Sequence, residues 1–372
     1  MEINMKKLSA TLGLFLSSTT TIYAAPNDLF LNAKNFNASH DSSALKFDFS
    51  IDAVNETIDV FDMRESEGVT DNSAGDYQGF KVSAQYDFNP QWSVEGSYWH
   101  REIEYSKDTN EIESALLAVR YTPSLLLKKN DALSFRASIW GNQADTLSKT
   151  TPTQVNRQRF EQVHVHKPED LQLQLDAIFS RKLDPMNQLN AFAGLGYSKV
   201  EISKIDIQRS VGNCLLNINI NNSNQYIGNL DRPCVDGEGT IEEFSVQGDA
   251  REFGLDIQKD LNYESYYGTL GGSWNWRYHQ FESQLAYQYQ RLWRKDIDDR
   301  ISKFGNSPIK DNHTFGAKFS YDFTPKLTGY LQGQLFQNNL VGYVPFLYNG
   351  VTASRLDKRY GLASIGIQYH GF

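Results

Sequence analysis

The chain has only two cysteines in 372 residues, Cys214 and Cys234. Neither has a histidine or a second cysteine pair beside it, which argues against a metal centre built on them. Beyond the first 24 residues there is no apolar run of the roughly 20 residues that a membrane-spanning helix needs. No basic patch is present, so nothing points to nucleic acid as a partner. Linkers and low-complexity tracts are missing, and nothing divides the chain into separate domains. Apolar stripes at helical spacing are scarce. What is plentiful is aromatic, with 20 tyrosines and 22 phenylalanines. The class that remains is all-β.

The first residues read as a targeting segment. Lys6 and Lys7 precede an apolar run from Leu8 to Phe15, and a Ser/Thr stretch leads to Ile22-Tyr23-Ala24. This is the order of a secretory signal peptide, 1–24, cleaved after Ala24. Its removal takes away Glu2, Lys6 and Lys7, one acid and two bases, and moves the net charge from −9 to −10. Residues 25–42 show no period and are expected to be a lead-in. In an exported protein Cys214 and Cys234 read as one disulfide closing the Asn-rich stretch between them.

The clearest pattern lies between Gly79 and Trp99. Phe80, Val82, Ala84, Tyr86 and Phe88 alternate with Lys81, Ser83, Gln85 and Asp87. After Asn89-Pro90-Gln91 the alternation resumes with Trp92, Val94, Gly96 and Tyr98. Strand side chains point to opposite faces in turn, so this is a hairpin with one apolar and one polar face. The pattern recurs along the chain, for example in Leu171, Leu173 and Leu175 against Gln172 and Gln174. Short connections at Asn89 to Gln91, Asp184 to Gln188 and Thr324 to Lys326 take turns with long polar ones. Phe88, Trp92, Tyr121, Trp274, Trp276, Phe281 and Phe323 gather beside the short turns, as an interfacial girdle would.

With these features, and with an amphipathic last strand ending in Phe372, the sequence resembles Gram-negative outer-membrane β-barrel proteins. The resemblance implies an antiparallel up-and-down transmembrane barrel over 43–372, with short periplasmic turns and long extracellular loops. Both ends then lie in the periplasm, and the strand number is even. Reading 239–261 as a hairpin gives fourteen strands, with twelve and sixteen as alternatives. Ile365, Ile367 and Tyr369 share a face from which Phe372 departs, and a bulge at His370-Gly371 would restore the parity.

If the apolar faces look outward, the alternate residues line a lumen. They include Lys81, Gln85, Glu95 and Trp99, then Arg120, Arg136 and Trp140. Gln172, Gln174 and Asp176 follow, and after them Asp256, Glu282, Gln284, Gln288, Lys318 and Gln332. Amides and aromatics suit neutral polar solutes, although Gln also serves as a neutral filler. The carboxylates Asp176, Glu252, Asp256 and Glu282 predict a modest preference for cations. The function expected is a passive porin-like channel for small polar solutes, with outer-membrane lipid and lipopolysaccharide around it. The competing class is a surface interaction or assembly barrel with a closed lumen, working through loops 143–168, 203–238 and 338–356.

No enzyme is expected. None of the seven histidines lies in a hydrolase-like motif. His164 and His166 share a face but lack a third ligand, and they read as solvated loop residues. Asp296, Asp298 and Asp299 read as part of a charged outside loop, or as bridges through divalent cations to lipopolysaccharide. No cofactor is implied.

Overall fold

The computed structural model describes residues 29–33, 45–54, 74–105, 108–124, 130–150, 152–155, 158–237, 239–304, 307–337, 344–349 and 359–371. Twelve strands form a closed antiparallel barrel. In chain order they are β1 (Leu45–Val54), β2 (Ala74–Asp87), β3 (Trp92–Tyr105), β4 (Asp108–Tyr121), β5 (Asp131–Gln143) and β6 (Glu169–Lys182). There follow β7 (Asn187–Glu201), β8 (Tyr263–Tyr278), β9 (Phe281–Arg294), β10 (Asp311–Thr324), β11 (Leu327–Gln337) and β12 (Arg359–His370). Each pairs with its neighbours in this order, and β12 pairs back onto β1. Closure leaves the barrel no open strand edge, so its backbone amides and carbonyls are paired between strands.

Alternation sets inside and outside. Leu175 and Leu195 are 66 % and 73 % exposed on the outer wall, whereas Gln172 and Gln174 between the leucines of β6 are buried in the lumen. Of the expected girdle, Phe88, Trp92, Trp274, Phe281 and Phe323 are exposed beside the short turns. Trp92 packs on Tyr121 at 4.7 Å, and Trp276 stacks on Tyr278 at 6.1 Å. Two of the short turns share one device. Asn89 Oδ1 accepts from the backbone N–H of Gln91 and Trp92, and Asp184 Oδ1 accepts from those of Met186 and Asn187. An Asx side chain thus takes over the backbone donors that a tight turn leaves unpaired.

The strand number is twelve, not fourteen. The region 239–261 adds no hairpin to the barrel, because β7 pairs directly with β8. The two long outside connections between β5 and β6 and between β7 and β8 instead pair with one another. They build a six-stranded sheet in the order 245–249, 225–230, 214–221, 204–211, 162–166, 146–149. The stretch 203–238, taken from the sequence as irregular, is therefore largely strand. Phe253, Leu255 and Ile257 alternate in sequence but form no strand. Ala250–Phe253 and Ile257–Asp260 are short helical turns. Ala250, Ile257 and Leu261 close over the apolar face of the sheet made by Ile205, Ile220 and Tyr226.

The disulfide expected from spacing is present, joining Cys214 to Cys234 with Cα atoms 5.2 Å apart. The far edge of the sheet is tied to the barrel. Asn110 on β4 donates to Ser148 O and accepts from Ser148 N–H at 3.2 and 2.6 Å, blocking that edge from further pairing. At the chain's other end, β12 pairs with β1 and β11 in unbroken register as far as His370, so the expected bulge does not form within it. Phe372 lies outside the described residues.

Glycines fit the inner wall to its large rings. Gly196 faces the ring of Tyr267 across β7 and β8, and Gly366 faces that of Tyr330 across β11 and β12. A β-carbon at either position would collide with the ring, so glycine lets the aromatic side chain lie against the wall of the lumen.

Candidate functional site

The lumen holds the ionisable groups that the alternation places inside. Glu95 on β3, Arg120 on β4, Arg136 on β5 and Asp176 on β6 form a chain of charges. Arg120 Nη2 lies 2.8 Å from Glu95 Oε1, and Arg136 Nε lies 2.9 Å from Glu95 Oε2. Arg136 Nη1 reaches Asp176 Oδ2 at 3.5 Å. Gln174 donates to Asp176 Oδ1 at 2.6 Å and accepts from the Tyr267 hydroxyl at 3.2 Å. Arg120 and Arg136 are directly opposed across β4 and β5, and the shared Glu95 carboxylate offsets their repulsion. Glu95 and Arg136 are each 1 % exposed, so no water-filled passage runs past them in this conformation.

Further networks flank this one. Arg101 Nη2 donates to Asn142 Oδ1 at 2.9 Å, and Asn142 Nδ2 donates to Asp170 Oδ1 at 2.7 Å. Arg101 also lies over the Trp99 ring at 4.3 Å. On the opposite wall Tyr330 donates to Asp48 Oδ1 at 3.0 Å, and Lys318 Nζ sits 3.9 Å from the centre of the Tyr330 ring.

Two chain segments that belong to no barrel strand fold into the lumen. Between β11 and β12, Val344, Pro345, Phe346, Leu347 and Tyr348 fold inward and are buried against Trp99, Trp140 and Tyr263. Tyr263 donates its hydroxyl hydrogen to Pro345 O at 2.7 Å. Tyr348 acts as a latch. Its ring lies 3.7 Å from the Arg294 guanidinium, its hydroxyl donates to Asp298 Oδ1 at 3.1 Å, and it accepts from Ile309 N–H at 3.2 Å. Burial raises the Asp298 carboxyl above the ordinary carboxylate range despite the opposing Arg294 charge, and burial likewise raises the Tyr348 phenol.

At the short-turn end the second segment, residues 29–33, lies in the lumen. Leu31 and Ala33 pack on Ala132, Ile178 and Phe192. Ala33 N–H donates to Ser180 Oγ at 2.7 Å, and Arg120 Nη1 donates to Asn32 O at 2.9 Å. Part of the stretch read as a lead-in is thus an interior element.

Every residue expected to line the lumen sits on the inward parity of its strand except Asp256. Asp256 lies outside the barrel, ahead of the turn Ile257–Asp260, and accepts from Asn224 Nδ2 at 3.0 Å. Glu252 also lies outside, in the turn Ala250–Phe253. The cation preference built on both loses two of its four carboxylates. The wall brings together Glu95, Arg120, Arg136, Gln174 and Asp176, and separately Trp99 with Trp140 at 6.4 Å. Gln284 donates to Glu282. Arg101 and Asp170 escape the sequence reading, although each is one step of the same alternation beyond Trp99 and Gln172.

The histidine pair is not simply solvated. His166 Nε2 lies 2.7 Å from Asp206 Oδ2, and His164 Nδ1 lies 2.8 Å from Ser148 Oγ, all on the polar face of the outer sheet. Asp298 is engaged by Arg294 and Tyr348 and does not stand free in a loop.

No family model matches the chain, and no curated protein matches it. Solved structures similar to it include a CymD monoaromatic hydrocarbon channel, at TM-score 0.40 and 8 % identity over 91 % of this chain and 93 % of that one. The translocator domain of autotransporter NalP from Neisseria meningitidis gives 0.45 and 10 %, over 89 % and 90 %. A KdgM porin gives 0.36 and 8 %, over 87 % and 98 %. The chain resembles outer-membrane β-barrels at the level of the class. Likeness of this degree assigns no solute and no mechanism.

Proposed function

We propose that the protein is an outer-membrane channel for small polar solutes, closed in this conformation by the two segments folded into its lumen. The observation that carries this reading is the charge chain of Glu95, Arg120, Arg136 and Asp176 across the interior. Enclosing ionised groups costs several kcal/mol each before their mutual attraction is counted. A barrel serving only as a scaffold would fill more cheaply with apolar side chains. Opposed charges along an interior suit a path for polar solutes.

Buried polar atoms without a protein partner among the described residues support the same reading. Asp48 Oδ2, Ser83 Oγ and Gln368 Nε2 stand side by side on β1, β2 and β12, where water would satisfy them. The outward leucines and aromatics fit a lipid surround, and fractionation of cell envelopes tests the outer-membrane placement. In planar bilayers the intact protein should be mostly closed with discrete openings. Deleting residues 344–349 should lengthen the openings. A silent bilayer with both proteins, each shown to be folded, would defeat the channel reading.

The outer sheet favours a second reading, in which the barrel displays two paired loops to a surface partner and conducts nothing. A folded, permanently silent protein is what that reading expects. Neither reading includes a catalytic step.

A further inference from the structure

Ile178 and Phe192 form an apolar patch in the lumen, apart from the one that Ile112, Leu116, Trp99 and Trp140 make against residues 344–348. They are large apolar side chains at inward positions, 0 % and 2 % exposed, on a wall that is otherwise mostly polar. What covers them is residues 29–33. In this segment Leu29, Leu31 and Ala33 are buried, while Phe30 is half-buried and Asn32 is exposed. Leu29 and Phe30 form a turn and residues 31–33 follow without regular structure, so the segment belongs to no sheet, and the barrel closes through β1 and β12 without it.

Side chains of the wall hold its backbone. Ser180 Oγ donates to Asn190 Oδ1 at 2.6 Å, which aims its lone pairs at Ala33 N–H. Arg120 reaches Asn32 O while its other nitrogen stays on Glu95. Across the lumen a β-carbon at Gly316 would stand 2.8 Å from Leu29 and 3.0 Å from Phe30, so the bare backbone of β10 leaves room for both. Backbone groups gripped at intervals, with pockets for alternate side chains, are the means by which proteins hold peptides.

We infer that the short-turn mouth of the lumen is a binding site for a short apolar peptide, and that residues 29–33 are its resident and exchangeable ligand. The site reads a small residue at position 33 against Ala132, Ile178 and Phe192, and apolar residues at 29 and 31. Because Arg120 also binds Glu95, occupancy of the site holds one end of the charge chain in place. The inference deepens the channel reading by assigning its inner closure, and it rests on that reading only for the conductance measurement.

The test supplies the segment in trans. A variant lacking residues 29–33 is purified, and its folding is checked by the gel shift between heated and unheated samples. A fluorescent peptide of residues 27–35 should bind it, and the reversed sequence should not. Phe192→Ala in the same variant should weaken binding about tenfold. If the deletion does not fold, full-length Leu31→Asp is used instead, and it should bind the peptide more tightly than the unaltered protein does. Equal binding of the forward and reversed peptides, or an affinity that ignores Phe192→Ala, would overturn the inference.

In bilayers the variant lacking residues 29–33 should open more often than the unaltered protein, and the peptide added from the short-turn side should reverse this. Specific binding with a silent bilayer leaves the peptide site standing and removes the channel. An open variant that binds no peptide does the reverse.

Discussion

The barrel and the sheet outside it are both antiparallel and both alternate, yet they solve opposite problems. In the barrel the apolar residues look away from the protein. In the outer sheet Ile205, Ile220 and Tyr226 look inward under Ala250, Ile257 and Leu261, and the polar row of His164, Asp206 and Asn219 faces away from that core. Leu173 on β6 and Ile227 in the outer sheet have similar exposure, 45 % and 52 %. On the outer-membrane reading proposed above, one meets hydrocarbon and the other water. Alternation thus identifies a strand and its two faces, and the surrounding solvent decides which face is the outside.

The largest expected effect breaks that equivalence. Leu173→Arg should cost up to about 4 kcal/mol in lipid, whereas Ile227→Arg should stay within about 0.5 kcal/mol, as read by urea titration in vesicles. Similar costs at the two sites would mean that they share a solvent. Next comes the cross-link. The Cys214–Cys234 bridge spans 20 residues of the outer sheet, and its reduction should lower the stability of that sheet by about 3 kcal/mol. Limited proteolysis should then cut the loops while β1 to β12 keep their heat-sensitive gel shift.

A smaller effect contrasts two glycines. Gly196→Ala drives a methyl into the Tyr267 ring and should cost about 1–3 kcal/mol. Gly239→Ala, with nothing within 4 Å of the added carbon, should be neutral to about 0.5 kcal/mol. The smallest effect is one of pH. The folded loop holds the Asp298 proton more tightly than an unfolded one, because burial raises its carboxyl against Arg294 and Lys310, with Asp299 adding to the rise. Its contribution to loop docking is complete below the ordinary carboxylate range and is lost as pH rises through the raised value. Protease accessibility of the loop near Tyr348 should therefore increase over that window, and Asp298→Asn should flatten the change.

The barrel strands were legible because each carries its own alternation, and β6 shows it without a break from Leu171 to Ala177. Inward residues followed from parity alone, which is why Glu95, Arg136 and Asp176 were found without any contact being known. The outer sheet was harder to read. Ile218 and Ile220 alternate with Asn217, Asn219 and Asn221, and amide-rich strands look like loop until a partner strand is known. The stretch 239–261, expected as a hairpin, misled in the other direction, since the alternation of Phe253, Leu255 and Ile257 does not separate two short turns from a strand. The closure of the lumen left no periodic trace. Residues 29–33 and 344–348 acquire their role from pockets made by strands far away in sequence.

The seam between β1 and β12 sets the order in which the molecule can be made. Lys46 pairs with His370 and Phe47 with Tyr369, so the first strand waits for almost the whole chain before it finds its second neighbour. Most other pairings in the barrel join strands adjacent in sequence and carry a modest loop entropy, whereas this one carries the largest. Until it forms, the growing sheet has two open borders, each a row of unpaired amides and carbonyls able to recruit another chain. The seam is therefore the pairing that closes the longest loop, and its formation removes both open borders at once.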